Sequence, residues 1–200
     1  MKVFIDLYAG LGGASEAFMS DPNWLCVRID NNPDLIPVCE RLIISDILNV
    51  HGTQQIIDSY LLEHDIEELV IWASPPCQQY SFANPNRDPD NFDNACLLAA
   101  MEYIEYYKPT TWIIENVKGA IPEFNDIIGD PWRQRVSAFF MWGKFSLLSF
   151  RDYSDTEHSK LDAKGSRKLR PNYRAKLPLK ISEALKDSLE HQRTLFDDLW

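Results

Sequence analysis

A chain of 200 residues with 45% hydrophobic content is sized for one domain with a real core and leaves little room for a second. Its formal charge of −10 argues against non-specific nucleic-acid binding, since phosphate contact needs lysine and arginine. No stretch is long and apolar enough to span a membrane, and the four cysteines (Cys26, Cys39, Cys77, Cys96) lack metal-like or disulfide-like spacing, so reduced thiols and a cytoplasmic setting are expected.

The N-terminus reads as a strand with an aspartate, Asp6, rather than a signal peptide, and residues 3–8 predict the first strand. It leads into Ala9-Gly10-Leu11-Gly12-Gly13-Ala14-Ser15. Glycines between a strand and a helix let the backbone turn sharply and approach a ligand. Residues 24–29 predict the second strand, and Asp30 closes it where an acid can accept hydrogen bonds from ribose hydroxyls. Asp30-Asn31-Asn32-Pro33 is also turn composition, and both uses are compatible. A short third strand over 42–45 ends at Asp46-Ile47, where the carboxylate is placed either for an adenine amino group or for a helix cap. Residues 53–64 predict a helix with Ile56, Ile57, Tyr60 and Leu61 on one face.

The apolar run 69–73 predicts a buried strand that Ser74-Pro75-Pro76 must end, because prolines supply no N–H. Cys77 follows at once, on a stiff loop at the carboxyl edge of the sheet, where open α/β folds bind ligands. A cysteine held there is a nucleophile if its pKa is lowered and a small buried hydrophobe otherwise. Residues 84–94 are rich in Asn, Asp and Pro and predict irregular structure. A helix then runs to Tyr107 with Leu97, Ala100, Met101 and Ile104 on one face. Residues 111–114 predict a strand ending in Glu115-Asn116-Val117, and a carboxyl in that position invites a raised pKa and acid–base work. Trp132-Arg133-Gln134-Arg135 precedes an apolar and aromatic run, 136–142, read as one strand. Residues 151–172 read as loop, and residues 160–176 hold Lys160, Lys164, Arg167, Lys168, Arg170, Arg174 and Lys176 against one acid, Asp162. If the chain touches nucleic acid, that segment, with Lys164, Arg167, Lys168 and Arg170, is the place; a solvated loop is the plainer reading. Residues 179–191 predict an amphipathic helix with Ile181, Ala184, Leu185 and Leu189 inward. The alternation implies a doubly wound α/β sheet.

These motifs, in this order, resemble the DNA (cytosine-5) methyltransferases. Asp6-Leu7-Tyr8-Ala9-Gly10-Leu11-Gly12-Gly13 looks like that family's cofactor loop, Pro75-Pro76-Cys77-Gln78 like its nucleophile loop, and Glu115-Asn116-Val117 like the motif carrying its acid. The resemblance covers residues 3–117 and implies a Rossmann-like three-layer α/β fold of the S-adenosylmethionine-dependent methyltransferases, as a single domain. It implies S-adenosylmethionine held by the glycine loop, by Asp30 and Asn31, by Asp46 and Ile47, and by Pro75. It implies DNA contacts at Gln78 and Ser81, and it places Arg135 on the target cytosine. Further on the match weakens. Arg133-Gln134-Arg135 lacks the family's full Gln-x-Arg-x-Arg, and Arg174-Ala175-Lys176-Leu177-Pro178 stands where Gly-Asn-Ala-Val is usual. Only about twenty residues separate Phe150 from that segment, too few for the family's target-recognition domain. The catalytic domain is therefore expected over 1–191, with 151–172 as a short basic loop in place of a recognition domain and 192–200 as a C-terminal tail.

The chemistry the resemblance implies is attack of a Cys77 thiolate on carbon 6 of a flipped-out cytosine, Glu115 sharing a proton with the ring, and methylation of carbon 5. The leading reading is such an enzyme acting on DNA, of restriction-modification or phage type and expected as a monomer. The same chemistry on a free cytidine nucleotide or RNA is the alternative, and a non-catalytic DNA- or cofactor-binding relic is the third. In the tail, Gln192-x-x-Leu195-Phe196 resembles short peptides that dock on replication sliding clamps, while the plainer expectation is that its apolar residues fold back on the domain.

Overall fold

Strands that are apolar on both faces require a sheet covered on both sides. The computed structural model describes residues 1–150 and 167–197, with the side chains of residue 167 and of 191–197 left aside. Strands β1 (Lys2–Leu7), β2 (Trp24–Asp30), β3 (Leu42–Ile44), β4 (Glu68–Ala73), β5 (Thr111–Asn116), β6 (Gln134–Val136) and β7 (Phe139–Lys144) form one sheet in the order β3-β2-β1-β4-β5-β7-β6. β1 to β5 are parallel, and β7 runs antiparallel between β5 and β6. Val3, Ile5 and Leu7 pack with Ile57 of α1 (Val50–Leu61), Leu97 and Tyr103 of α2 (Ala95–Tyr107) and Phe124 of α3 (Ile121–Ile128). The alternate residue Phe4, with Val70, Trp72 and Ile113, packs with Phe18 and with Ile181 and Leu185 of α5 (Leu179–Asp197). The result is the expected three-layer, Rossmann-like α/β architecture. The strand order reverses between β1 and β4, so the crevice for a ligand opens at their carboxyl ends. No described helix is long and apolar enough to cross a membrane.

Several elements differ from expectation for identifiable reasons. No helix follows the glycine loop: residues Glu16–Phe18 form a single 3₁₀ turn. Ser15 would have capped a helix, but its side chain makes no cap bond and serves the core instead. Ser182 of α5 accepts from Ala17 N (3.0 Å) and donates to Ala14 O (2.6 Å), taking over groups a helix would have paired. α1 begins earlier than expected, at an Asn49 cap, and buries Thr53 rather than Tyr60. The run read as one strand is a hairpin, β6 and β7, turned at Ser137 with φ 52°. Of the segment expected as loop, 151–166 lies outside the described residues, while a 3₁₀ turn (Arg167–Leu169) and a short helix α4 (Arg170–Ala175) form beyond it. α5 continues to Asp197, so the backbone expected as a tail from 192 extends that helix.

Candidate active site

The carboxyl edge of β1 and β2 is built by left-handed backbone. Tyr8, Gly10 and Gly12 have φ of 60°, 53° and 71°, folding the loop so that Gly12 N donates to Ala9 O at 2.7 Å. Tyr8 is anchored by its hydroxyl, which donates to Cys96 O at 2.8 Å. Gly10 N donates to Asp30 Oδ2 and Asn32 N to Asp30 Oδ1, both at 2.9 Å, so Asp30 is oriented with lone pairs still available. The glycines divide by what surrounds them. A Cβ on Gly10 would meet only Asn172 Nδ2, at 3.9 Å; on Gly12 it would strike the Arg28 guanidinium carbon at 2.5 Å, and on Gly13 the Leu177 carbonyl at 2.7 Å. A Cβ at Gly10 would make only an ordinary contact, whereas Gly12 and Gly13 have no room for one within the protein itself.

Asp6 lies beneath this loop. It is buried and accepts from Ser15 Oγ at 2.6 Å. Burial pushes its carboxyl up to about 7, against the opposing pull of the Ser15 hydrogen bond and the Arg28 charge. It therefore props the loop from below instead of lining it. Ala9 is buried, and Leu11 is partly buried against a small cluster of Leu35, Cys39 and Leu169. Asn31 is exposed. Asp46 is exposed and uses Oδ1 to cap Leu48 N at 3.0 Å, the turn role, which leaves Oδ2 for another donor. Ile47 is buried, and its carbonyl accepts from the Tyr103 hydroxyl at 3.1 Å.

The second half of the site joins the ends of β4 and β5. Asn116 Nδ2 donates to Pro75 O at 2.9 Å, and Gly119 presses on the Tyr80 carbonyl so closely that no side chain fits there. Tyr80 and Ser81 N–H groups fold back onto Cys77 O at 3.1 and 3.0 Å. The loop beyond is internally bonded: Gln79 exchanges two hydrogen bonds with Asp93, and Arg87 donates to Tyr80 O and stacks on Phe82 and Phe92. This frame holds a half-buried Cys77 within the field of a buried Glu115. Burial raises the Glu115 carboxyl to about 7, with a Ser74 hydrogen bond opposing; Ser74 Oγ in turn accepts from Trp72 Nε1 at 2.9 Å. Burial and then the Glu115 charge push the Cys77 thiol upward. A carboxyl near 7 can give or share a proton at neutral pH, and its neutralisation would remove one of the two influences holding the thiol protonated. Gln78 is exposed and Ser81 partly buried on the same loop.

Other expected residues are placed differently. Arg135 pairs with Phe140, and Glu115 with Met141, so the two side chains leave opposite faces of the sheet two strands apart. Arg135 is exposed and donates Nε to Ser137 O at 2.7 Å. The hairpin turn at Ser137 sets this register, which an uninterrupted strand would not have. Lys168 forms an ion pair with Asp34 at 2.6 Å, clipping its segment to the Asp30 side of the site. Arg170 is exposed; Lys164 and the Arg167 side chain lie outside the described residues. Sequence reasoning passed over Arg28, Ser74 and Asn172. A charged residue between Val27 and Ile29 in a buried strand was a usable signal for Arg28; nothing local marked the other two.

Comparison with known proteins gives the family. A family model described as C-5 cytosine-specific DNA methylase matches residues 2–128. DNA (cytosine-5)-methyltransferase 1 of Gallus gallus is 25% identical over 58% of this chain and 8% of that one. Type II methyltransferase M.AquIA of Picosynechococcus is 26% identical over 60% of this chain and 50% of that one, and M.DdeI of Desulfomicrobium norvegicum 28% over 58% and 28%. The chain thus spans half or less of the length of these curated relatives. A solved structure of the Entamoeba histolytica methyltransferase EhMeth aligns over 64% of this chain and 42% of that chain, with a TM-score of 0.45 and 21% identity. With its glycine loop, its Pro-Pro-Cys-Gln loop and its Glu-Asn-Val strand end all inside the matched region, the chain belongs to the C-5 cytosine-specific DNA methylase family.

Proposed function

We propose that this protein transfers a methyl group from S-adenosylmethionine to carbon 5 of cytosine in DNA through a covalent Cys77 adduct. The observation that carries the reading is the bracing of the Cys77 loop against the strand end holding Glu115. The residues at the β1 and β2 edge fit the cofactor: around Gly10 only the Asn172 side chain comes near, Asp30 suits ribose hydroxyls and Asp46 an adenine amino group. When bound, S-adenosylmethionine supplies the electrophilic methyl. Cys77, once deprotonated, adds to carbon 6 of the flipped base and makes carbon 5 nucleophilic. Glu115 shares its proton with ring nitrogen 3 as charge develops there. While Glu115 keeps its proton it carries no charge to repel the thiolate, and only partial transfer of that proton to the ring keeps this so. Loss of the carbon-5 proton from the methylated ring then expels Cys77. Arg135, expected on the exocyclic oxygen, stands on the face of the sheet opposite Glu115 and is given no role in this arrangement.

The formal charge of −10 and the engagement of Lys168 by Asp34 favour keeping a second substrate class, a cytidine nucleotide or RNA, for the same chemistry. Incubation with labelled S-adenosylmethionine and, in parallel, duplex DNA, tRNA and cytidine nucleotides separates the readings. Label in DNA alone supports the proposal, label only in RNA or nucleotides supports the second, and cofactor binding without label supports a binding relic. As a partner, a sliding clamp docked through Gln192-x-x-Leu195-Phe196 would raise the local DNA concentration.

A further inference from the structure

Arg28 stands in the middle of β2, between the core residues Val27 and Ile29, and is 5% exposed; among the described residues it is the one lysine or arginine in the buried set. A guanidinium is costly to bury unless its donors are used. Here Nε donates to Ser15 Oγ at 2.7 Å, Nη2 to Gly12 O at 2.9 Å and Nη1 to Glu40 O at 3.3 Å. Ser15 Oγ in turn donates a hydrogen bond to Asp6 Oδ2 at 2.6 Å. Guanidinium and carboxylate are therefore joined through one hydroxyl. Gly12 and Ser15 belong to the loop after β1. Glu40 closes the segment that begins at Asp30 and returns into β3. These are the two loops between which the cofactor lies in the reading above.

We propose that Arg28 is a positioning residue for the cofactor, a planar fork that fixes the glycine loop and the Asp30–Glu40 segment at one spacing. The inference rests on the methyltransferase reading. A lysine would not substitute, because one ammonium cannot serve three acceptors held in a guanidinium's fixed directions. The Gly12 carbonyl is drawn down toward Nη2, and the left-handed Gly12 allows that peptide orientation while Gly10 N stays on Asp30 Oδ2.

The test uses full-length Arg28→Met, Arg28→Lys and Ser15→Ala, with S-adenosylhomocysteine binding by calorimetry and steady-state kinetics on duplex DNA. Arg28→Met is expected to weaken binding and raise the KM for S-adenosylmethionine by about tenfold or more, the loss of hydrogen bonds from a charged donor. Its kcat at saturating cofactor and its KM for DNA are expected to stay within about threefold of the wild type, because no reacting atom is touched. Arg28→Lys is expected to recover little, and Ser15→Ala to weaken binding by a smaller factor. Unchanged cofactor affinity in folded Arg28→Met, or a fall in kcat with KM intact, overturns the proposal. Should Arg28→Met not fold, Ser15→Ala decides, and unchanged affinity there overturns it equally. A wild type that binds no S-adenosylhomocysteine would remove the methyltransferase reading itself, which the variants alone cannot do.

Discussion

Replacing Glu115 with glutamine separates what its burial costs from what it is used for. Burial holds this carboxyl up to about 7 from an ordinary 4.5. The folded protein therefore keeps a proton that the unfolded chain has released between those values. Stability from this proton is fully present below the unfolded value and is lost as pH rises through the folded one. The displacement corresponds to roughly 3 kcal/mol, and at 7% exposure there is little solvent to screen it. Glu115→Gln cannot ionise. If its amide leaves a donor unpaired, that penalty of about 1–3 kcal/mol is the same at every pH. The assay is urea unfolding of both proteins from about pH 4 to about pH 8.5. Variant minus wild-type stability is expected to rise by about 3 kcal/mol across that range, with methyl transfer lost throughout. A difference that stays flat with pH would show that Glu115 is ionised normally in the folded protein, and the argument for a neutral acid would fail.

Cys77→Ser is expected to abolish turnover while cofactor affinity stays near wild type, and a 5-fluorocytosine duplex should trap wild type but not the variant in a denaturation-resistant adduct. Gly12→Val is expected to cost more than about 2 kcal/mol of stability by thermal melting, because it forces a β-branched residue into left-handed backbone against Arg28; a normal melting temperature would contradict this. Arg170→Ala should lower the salt slope of DNA binding by about one, and Lys168→Ala by less, since Lys168 is paired with Asp34 although 71% exposed; equal effects would deny that pair any role. Leu195→Ala/Phe196→Ala is expected to abolish binding to a sliding clamp in a pull-down and leave activity on short oligonucleotides intact; lost activity without a clamp would assign the segment to the domain.

The sheet was legible because its strands are short apolar runs closed by Asp, Pro or Asn, and parallel strands buried on both faces carry that signature wherever they stand in the order. Cys77 and Glu115 were legible for a related reason: a reactive side chain at the end of a buried strand falls on the carboxyl edge whatever the loops do. What depended on loop geometry was not legible. A helix is expected after the glycine loop, but Ser182, which lies far along the chain, pairs Ala14 O and Ala17 N there instead. Arg135 is expected on the target cytosine, but a left-handed Ser137 turns the run into a hairpin and puts its side chain on the face opposite Glu115. Gly12 and Gly13 read as ligand glycines, and packing against Arg28 and Leu177 gives each a further reason to lack a side chain that nothing local in the sequence marks.

Asp6 and Glu115 show why displaced acidity alone does not mark a functional group. Both are buried in the sheet, and burial pushes both carboxyls up to about 7. Their partners differ. Asp6 accepts from Ser15, which accepts from Arg28, whose other donors go to backbone carbonyls, so each charge and hydroxyl in that set has its use inside the protein. Protonation there would only unbalance a scaffold. Glu115 takes one hydroxyl, Ser74, and its next influence is on a cysteine with no competing cation among the causes that shift it. Nothing in that pair compensates the carboxylate, so the folded chain holds Glu115 ready to share a proton and Cys77 short of ionisation. In the proposed reaction a ring nitrogen would engage the Glu115 proton while a ring carbon faces Cys77. That contrast in partners, rather than a shared value near 7, is what singles out Glu115 as the proposed acid and Asp6 as the proposed support of the glycine loop.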